Sequence, residues 1–77
     1  MPPPHEPVAE TVRYDSGTTK YTGFQLDGEM HGAWSWYRVD GSLMRTGEFE
    51  HGRQVGTWRT FDRKGKVVKE TTFEAAD

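Results

Sequence analysis

The glycines of this 77-residue chain recur at a fixed interval, and that interval restricts what the chain can fold into. All nine fall into series spaced by 24 residues: Gly17, Gly41 and Gly65; Gly23 and Gly47; Gly28 and Gly52; Gly32 and Gly56. A period between about 20 and 50 residues is typical of repeat architectures, in which each supersecondary unit packs on the next. Residues 20–43 and 44–67 therefore form two full repeats, with partial repeats at both ends.

The segments between the glycines are short and rich in Trp, Tyr, Phe, Thr and Val, which favour strands over helices. Strands are predicted at about 9–14, 18–26, 33–39, 42–50, 57–61 and 66–73. Consecutive strands joined by glycine turns pair as antiparallel hairpins. The sequence thus predicts an all-β fold, an antiparallel β-hairpin meander that forms a single elongated sheet.

Each repeat carries two kinds of turn. Residues 39–42 (VDGS) are expected to form a tight type I′ turn, because an Asp-Gly pair accepts positive φ angles, and residues 63–66 occupy the equivalent place. Residues 27–32 and 51–56 are expected to form longer, bulged loops that begin and end near glycine.

The chain is expected to hold one domain, at residues 9–73. Residues 1–8 are Pro-rich and residues 74–77 follow the last strand, so both are predicted to be flexible. No stretch of 18 apolar residues is present, and the first residues lack the pattern of a secretion signal. A cytoplasmic location is therefore expected.

The residues predict neither catalysis nor a metal or cofactor. Cysteine is absent, and His5, His31 and His51 have no second histidine spaced for ligation. The serines lack a G-x-S-x-G context, and the glycines form no phosphate-binding loop. A net charge of −2 argues against a dedicated nucleic-acid binder.

The residue pattern in both repeats resembles the bacterial variant of the MORN repeat (membrane occupation and recognition nexus). The pattern is carried by glycines, tryptophans and aromatic residues at fixed spacing: Gly23, Gly28, Gly32, Trp34, Gly41, Gly47, Phe49, Gly52, Gly56, Trp58, Phe61 and Gly65. Gln25 departs from it, because it stands where the second repeat has Phe49. The resemblance implies a non-enzymatic β-hairpin array of the kind used as a protein-interaction scaffold. It also implies a relation to small antitoxin- or immunity-like proteins with this repeat.

Two features indicate where a partner would bind. Trp36 has Thr60 as its repeat counterpart, so the repeat does not require it, and tryptophan is enriched at interface hot spots. Tyr37 and Tyr21 are its companions in this interpretation. Residues 53–69 are strongly basic and add Arg59, Arg63 and Lys64 as candidate contacts. The structural alternatives are stacking of the rings within the sheet and a solvated edge with charged side chains.

We therefore expect a protein-interaction module that presents an aromatic and basic sheet surface and blocks its partner as an antitoxin or immunity protein does. The alternatives are a membrane- or phospholipid-associated module and a structural protein that assembles with itself through strand edges. An enzyme is the least supported reading of the residues.

Overall fold

A computed structural model describes residues 6–74 and shows one antiparallel sheet with no helix in this range. The strands are β1 (Val8–Arg13), β2 (Thr19–Leu26), β3 (Glu29–Met30), β4 (Gly32–Tyr37), β5 (Leu43–Glu50), β6 (Arg53–Phe61) and β7 (Val67–Phe73). They lie in the order β1-β2-β4-β5-β6-β7, and β3 pairs with β2. The predicted all-β meander is confirmed.

The structure has seven strands where six were predicted, because one strand of the first repeat is interrupted. β3 and β4 together occupy residues 29–37, which correspond to β6 in the second repeat. Residues 22–25 of β2 lie opposite residues 30–35, so two extra residues bulge near Gly32. β6 carries the corresponding bulge at Gly56, and both glycines have positive φ angles.

The predicted long loops at 27–32 and 51–56 are wrong. Each hairpin turns on two residues, Asp27–Gly28 and His51–Gly52, and the rest of each predicted loop belongs to a strand or a bulge. All four residues have positive φ angles, between 49° and 82°, as a type I′ turn requires. Asp and His are among the non-glycine residues that adopt this conformation most readily.

The predicted type I′ turn at residues 39–42 is also wrong. Only Gly41 has a positive φ there, and the Gly41 N–H donates to the carbonyl of Arg38. The loop is thus a three-residue connection with glycine in its left-handed position. Asp40 keeps a negative φ, and its carboxylate accepts the backbone N–H of Ser42 at 2.8 Å. Residues 14–18 and 62–66 make the same backbone hydrogen bonds.

The sheet is a single layer, 39 × 32 × 12 Å in extent, so it has no core between two layers. Within residues 6–74 the buried apolar side chains are Trp34, Val55 and Trp58. Strand β1 begins at Val8, one residue before the predicted domain start. Of the segments predicted to be flexible, residues 1–5 and 75–77 lie outside the described residues.

Candidate binding face

One face of the sheet carries six aromatic rings, which we call the aromatic face. Strand alternation and cross-strand register place there Tyr21, Trp34, Trp36, Phe49, Trp58 and Phe73. Neighbouring ring centroids lie 5.1–6.4 Å apart, in tilted, stacked and edge-to-face arrangements. These are the distances and angles at which aromatic pairs attract each other. The rings therefore form one continuous cluster across β2, β4, β5, β6 and β7.

The cluster is held by two joints, in each of which a tryptophan ring lies on a glycine of the preceding strand. A Cβ placed on Gly23 would lie 2.0 Å from the Trp34 ring, and one on Gly47 would lie 2.2 Å from the Trp58 ring. No side chain fits in either gap. These glycines therefore explain why Trp34 and Trp58 are only 3% and 6% exposed in a single-layer sheet.

Both indoles also satisfy their polar atom within the sheet. The Nε1–H of Trp34 donates to the carbonyl of Phe24, and that of Trp58 donates to the carbonyl of Val55, each at 3.1 Å. A buried indole N–H needs such a partner. Trp34 and Trp58 therefore hold equivalent positions on one face of the sheet, and Trp36 connects their rings, in agreement with the alternative of ring stacking within the sheet.

Trp36 lies between the two joints. Its ring is 6.0 Å from that of Trp34 and 5.4 Å from that of Trp58, and Phe49 approaches it edge-on at 6.4 Å. The side chain is half-buried. Trp36 therefore joins the rings of the first repeat to those of the second while keeping part of its surface free for contact.

The six residues predicted to contact a partner do not lie on one surface. Tyr21 and Trp36 are cross-strand neighbours on the aromatic face. Arg59 lies on the opposite face, where its Nε donates to Glu70 at 2.9 Å, and Tyr37 lines a shallow pocket with Thr22 on that side. The partner contacts of all six stay a prediction.

The other two predicted contacts, Arg63 and Lys64, lie in the turn that follows β6. The Nε of Arg63 is 3.5 Å from a carboxylate oxygen of Asp40, in the neighbouring turn. The backbone N–H of Lys64 donates to the Asp62 carboxylate at 2.8 Å. This turn is at one end of the strands. The basic stretch of the sequence is therefore divided among the two faces of the sheet and one end of its strands.

The basic residues of the aromatic face are Arg45 and Lys69, which the sequence analysis did not single out. Arg45 is the cross-strand neighbour of both Trp36 and Thr60, and Lys69 is that of Thr60. Both are exposed. Their spacing of 24 residues was the signal that could have found them, because equivalent positions of a repeat lie on the same face.

A pocket of about 130 Å³ opens on the aromatic face between these two basic residues. Its lining consists of Arg45, Gln54, Trp58, Thr60, Lys69, Thr71 and Phe73. The set combines two aromatic rings, two cations and several hydrogen-bonding groups, and it includes no carboxylate. Such a mixture suits an apolar group that carries negative charge beside it.

The opposite face is polar across its middle. A row of cross-strand neighbours runs over it through Thr11, Thr22, Ser35, Thr46, Arg59 and Glu70. Phe24, Tyr37 and Val55 also lie on this face, so the two faces differ in the clustering of their rings and not in the presence of apolar side chains.

The turns at one end of the strands are connected by hydrogen bonds from side chains at equivalent repeat positions. The Tyr14 hydroxyl donates to the carbonyl of Tyr37 at 2.8 Å, and the Arg38 guanidinium donates to that of Phe61 at 2.6 Å. Arg38 also donates to the carbonyl of Leu43 at 3.2 Å. Tyrosine and arginine therefore perform the same structural task in successive repeats, a correspondence hidden by their different chemistry.

His31 and His51 meet at the other end of the strands, a pairing that their spacing in the sequence did not predict. Their ring centroids are 5.0 Å apart, and the backbone N–H of His51 donates to Nδ1 of His31 at 3.2 Å. Glu29 lies 3.8 Å from the His51 ring nitrogen. Among residues 6–74 no group of three or more such side chains is arranged to hold a metal ion.

One carboxyl group in the turns has a shifted pKa. The Ser42 hydroxyl donates to Asp40 at 2.6 Å, and this hydrogen bond, with that from the Ser42 backbone, lowers the pKa of Asp40 below its ordinary value of 3.8. Arg63 and Arg38 add a smaller attraction in the same direction. Asp40 therefore reinforces its turn in the ionised form.

No protein-family model, curated protein or solved structure matches this chain. The resemblance to MORN repeats accordingly stays a prediction that rests on the residue pattern. Over residues 6–74, no helix is long and apolar enough to cross a bilayer.

Proposed function

We propose that this chain is a MORN-type protein-interaction module that binds a partner protein through its aromatic face, in the manner of a small antitoxin or immunity protein. The observation that carries the proposal is the asymmetry of the sheet. One face holds six rings in a single cluster, four of them partly exposed, whereas a row of hydroxyl and charged side chains crosses the other. A single-layer sheet with one apolar face ordinarily buries that face against a second element.

The composition of the face supports a protein as the partner. Trp, Tyr and Arg are the residue types enriched at interface hot spots, and Trp36, Tyr21 and Arg45 bring all three together as cross-strand neighbours. The rings already pack on one another, so docking would immobilise few free side chains and lose little conformational entropy. A preorganised face of this kind suits tight one-to-one blocking of a partner's cleft.

The absence of cysteine allows each face to be blocked separately. We would prepare Arg45→Cys and Arg59→Cys, which replace exposed arginines on the aromatic and the opposite face, and attach a bulky maleimide to each. The labelled chains and the unlabelled protein are then used to capture partners from host extract, with stoichiometry measured by mass spectrometry.

We expect a partner whose capture is lost when position 45 is labelled and retained when position 59 is labelled. Loss at position 59 alone would move the interface to the opposite face and overturn the proposal. Capture of this chain alone would favour the self-assembling alternative, and flotation with anionic vesicles would favour the membrane alternative.

A further inference from the structure

The pocket on the aromatic face is the second-repeat counterpart of a space that the first repeat fills with its own side chain. Trp36 stands on β4 between Tyr21 and Arg45, its neighbours on the flanking strands. The residues 24 positions later are Thr60, with Arg45 and Lys69 beside it. The second repeat thus carries a threonine where the first carries an indole.

The two spaces share two rings of their floor, whereas the third ring that Trp36 contacts, Trp58 at 5.4 Å, has no counterpart beyond β7, the edge strand of the described residues. In the first repeat Trp36 packs on Trp34 and Phe49, at centroid distances of 6.0 and 6.4 Å. Their counterparts Trp58 and Phe73 line the pocket and are themselves arranged edge-to-face, at 6.3 Å. The molecule therefore shows what fits such a floor, because it places a tryptophan on the equivalent one.

The rim of the pocket differs from that of the first repeat in charge. Tyr21 and Arg45 flank Trp36, whereas Arg45 and Lys69 flank Thr60. Neither Arg45 nor Lys69 makes an ion pair or a side-chain hydrogen bond with the part of the chain that the structure describes. Two exposed cations thus stand on either side of an apolar floor, a pattern that attracts carboxylates.

We infer that this pocket receives an aromatic side chain of the partner protein, taken from a segment that carries Asp or Glu next to that ring. The ring completes the cluster as Trp36 does in the first repeat, and the carboxylates meet Arg45 and Lys69. The inference deepens the proposed function and rests on it, because it names the chemistry that the aromatic face selects.

The test uses three short peptides and the isotope-labelled protein. Acetyl-Glu-Trp-Glu-amide contains both features, acetyl-Lys-Trp-Lys-amide only the ring, and acetyl-Glu-Ala-Glu-amide only the charges. Titration followed by NMR gives affinities and maps the binding site. We expect the first peptide to bind about tenfold more tightly than either of the others, with the largest shifts at Arg45, Thr60 and Lys69. Equal affinity for all three, or shifts confined to the opposite face, would overturn the inference.

Two substitutions and one control variant bring the test to the pocket itself. Thr60→Trp supplies the missing ring from within, so it is expected to lower affinity for the first peptide about tenfold. Thr72→Trp adds the same side chain at an exposed position on the opposite face and should leave affinity unchanged. Lys69→Glu changes only an exposed side chain, and it is expected to weaken Glu-Trp-Glu and strengthen Lys-Trp-Lys. Unchanged peptide affinity in both Thr60→Trp and Lys69→Glu would contradict the proposed site.

The two proposals can fail separately. A partner that is lost on labelling position 45 but binds Thr60→Trp as tightly as the unchanged protein leaves the function standing and rules out the pocket. If labelling position 45 leaves every captured partner bound, the proposed function is ruled out, whatever the result with the peptides. Tighter binding of oligothymidine or of anionic vesicles than of the acidic peptide would assign the pocket to another ligand class and overturn the inference.

Discussion

The two repeats share their framework and differ in one bulky side chain. Each places a tryptophan on a glycine of the preceding strand, and each turns its hairpin on two residues with positive φ. The first repeat then adds Trp36 to the aromatic face, and the second has Thr60 at that position. The glycine–tryptophan joint is therefore common to both repeats, while the position two residues after the tryptophan differs between them and is where we place specificity.

The largest expected effect tests whether the joint is the same in both repeats. Gly23→Ala and Gly47→Ala each place a methyl group inside a tryptophan ring, so the ring must leave its site. We expect each to lower the free energy of unfolding by about 3 kcal/mol, measured by urea denaturation. Thr71→Ala, at the third equivalent position, should change it by less than about 1 kcal/mol. Similar values for all three would show that the joints contribute little.

The next effect concerns the residue that distinguishes the repeats. Trp36→Thr gives the first repeat the side chain of the second and removes three ring contacts from a half-buried site. We expect a loss of about 2 kcal/mol in the free energy of unfolding, less than for a fully buried tryptophan. The reciprocal Thr60→Trp is expected to preserve or raise that free energy. A larger loss in Thr60→Trp than in Trp36→Thr would mean that the two sites are not equivalent.

A smaller effect compares the ties between the turns. Arg38→Met removes charged hydrogen bonds to the carbonyls of Phe61 and Leu43, whereas Tyr14→Phe removes one neutral hydrogen bond to that of Tyr37. We expect losses of about 1.5 and about 0.5 kcal/mol, because charged hydrogen bonds contribute more. Thermal unfolding of both variants measures the difference. The reverse order would show that the Tyr14 tie is the stronger.

The smallest effect is a titration in the turn that separates the repeats. Because the folded-state pKa of Asp40 lies below 3.8, its contribution to stability is present above that value and is lost as the pH falls through the folded pKa. NMR titration of the Asp40 carboxyl should therefore give a midpoint below 3.8. In Ser42→Ala the midpoint should rise, since the Ser42 hydroxyl is the main cause of the shift. An unchanged midpoint in that variant would assign the shift to the backbone or to the arginines.

Much of the fold follows from the sequence because few residues other than glycine fit at the repeat positions. The 24-residue spacing indicates the meander, and the pairing of Gly47 with Trp58 is a steric requirement that leaves a mark in the sequence. The turns were harder to predict. An Asp-Gly pair is compatible with both turn types, and at residues 39–42 a hydrogen bond from Ser42 to Asp40 holds Asp40 at negative φ.

The candidate site was only partly predictable for a different reason. Trp36 stands out because the repeat does not require it, yet composition alone cannot say which face a charged residue occupies. Arg59 lies in the basic stretch but on the polar face, and Arg45 lies outside that stretch but on the aromatic face. Strand alternation alone separates Arg59 from Trp58, its neighbour on β6, whereas the face of Arg45 relative to Trp58 depends on the register and bulges between two strands, which the three-dimensional structure supplies.

The glycine–tryptophan joint makes the two sides of each repeat different, because one strand supplies the glycine and the neighbouring strand supplies the tryptophan ring that packs on it. Thr71 stands on β7 at the position where Gly23 and Gly47 receive a ring. Its side chain occupies the space that such a ring would need, so a further tryptophan-bearing strand cannot dock on this edge in the register of the repeats. By the same steric argument we expect the threonine to disfavour a further tryptophan-bearing strand at this edge, and Thr71→Gly to remove that obstacle.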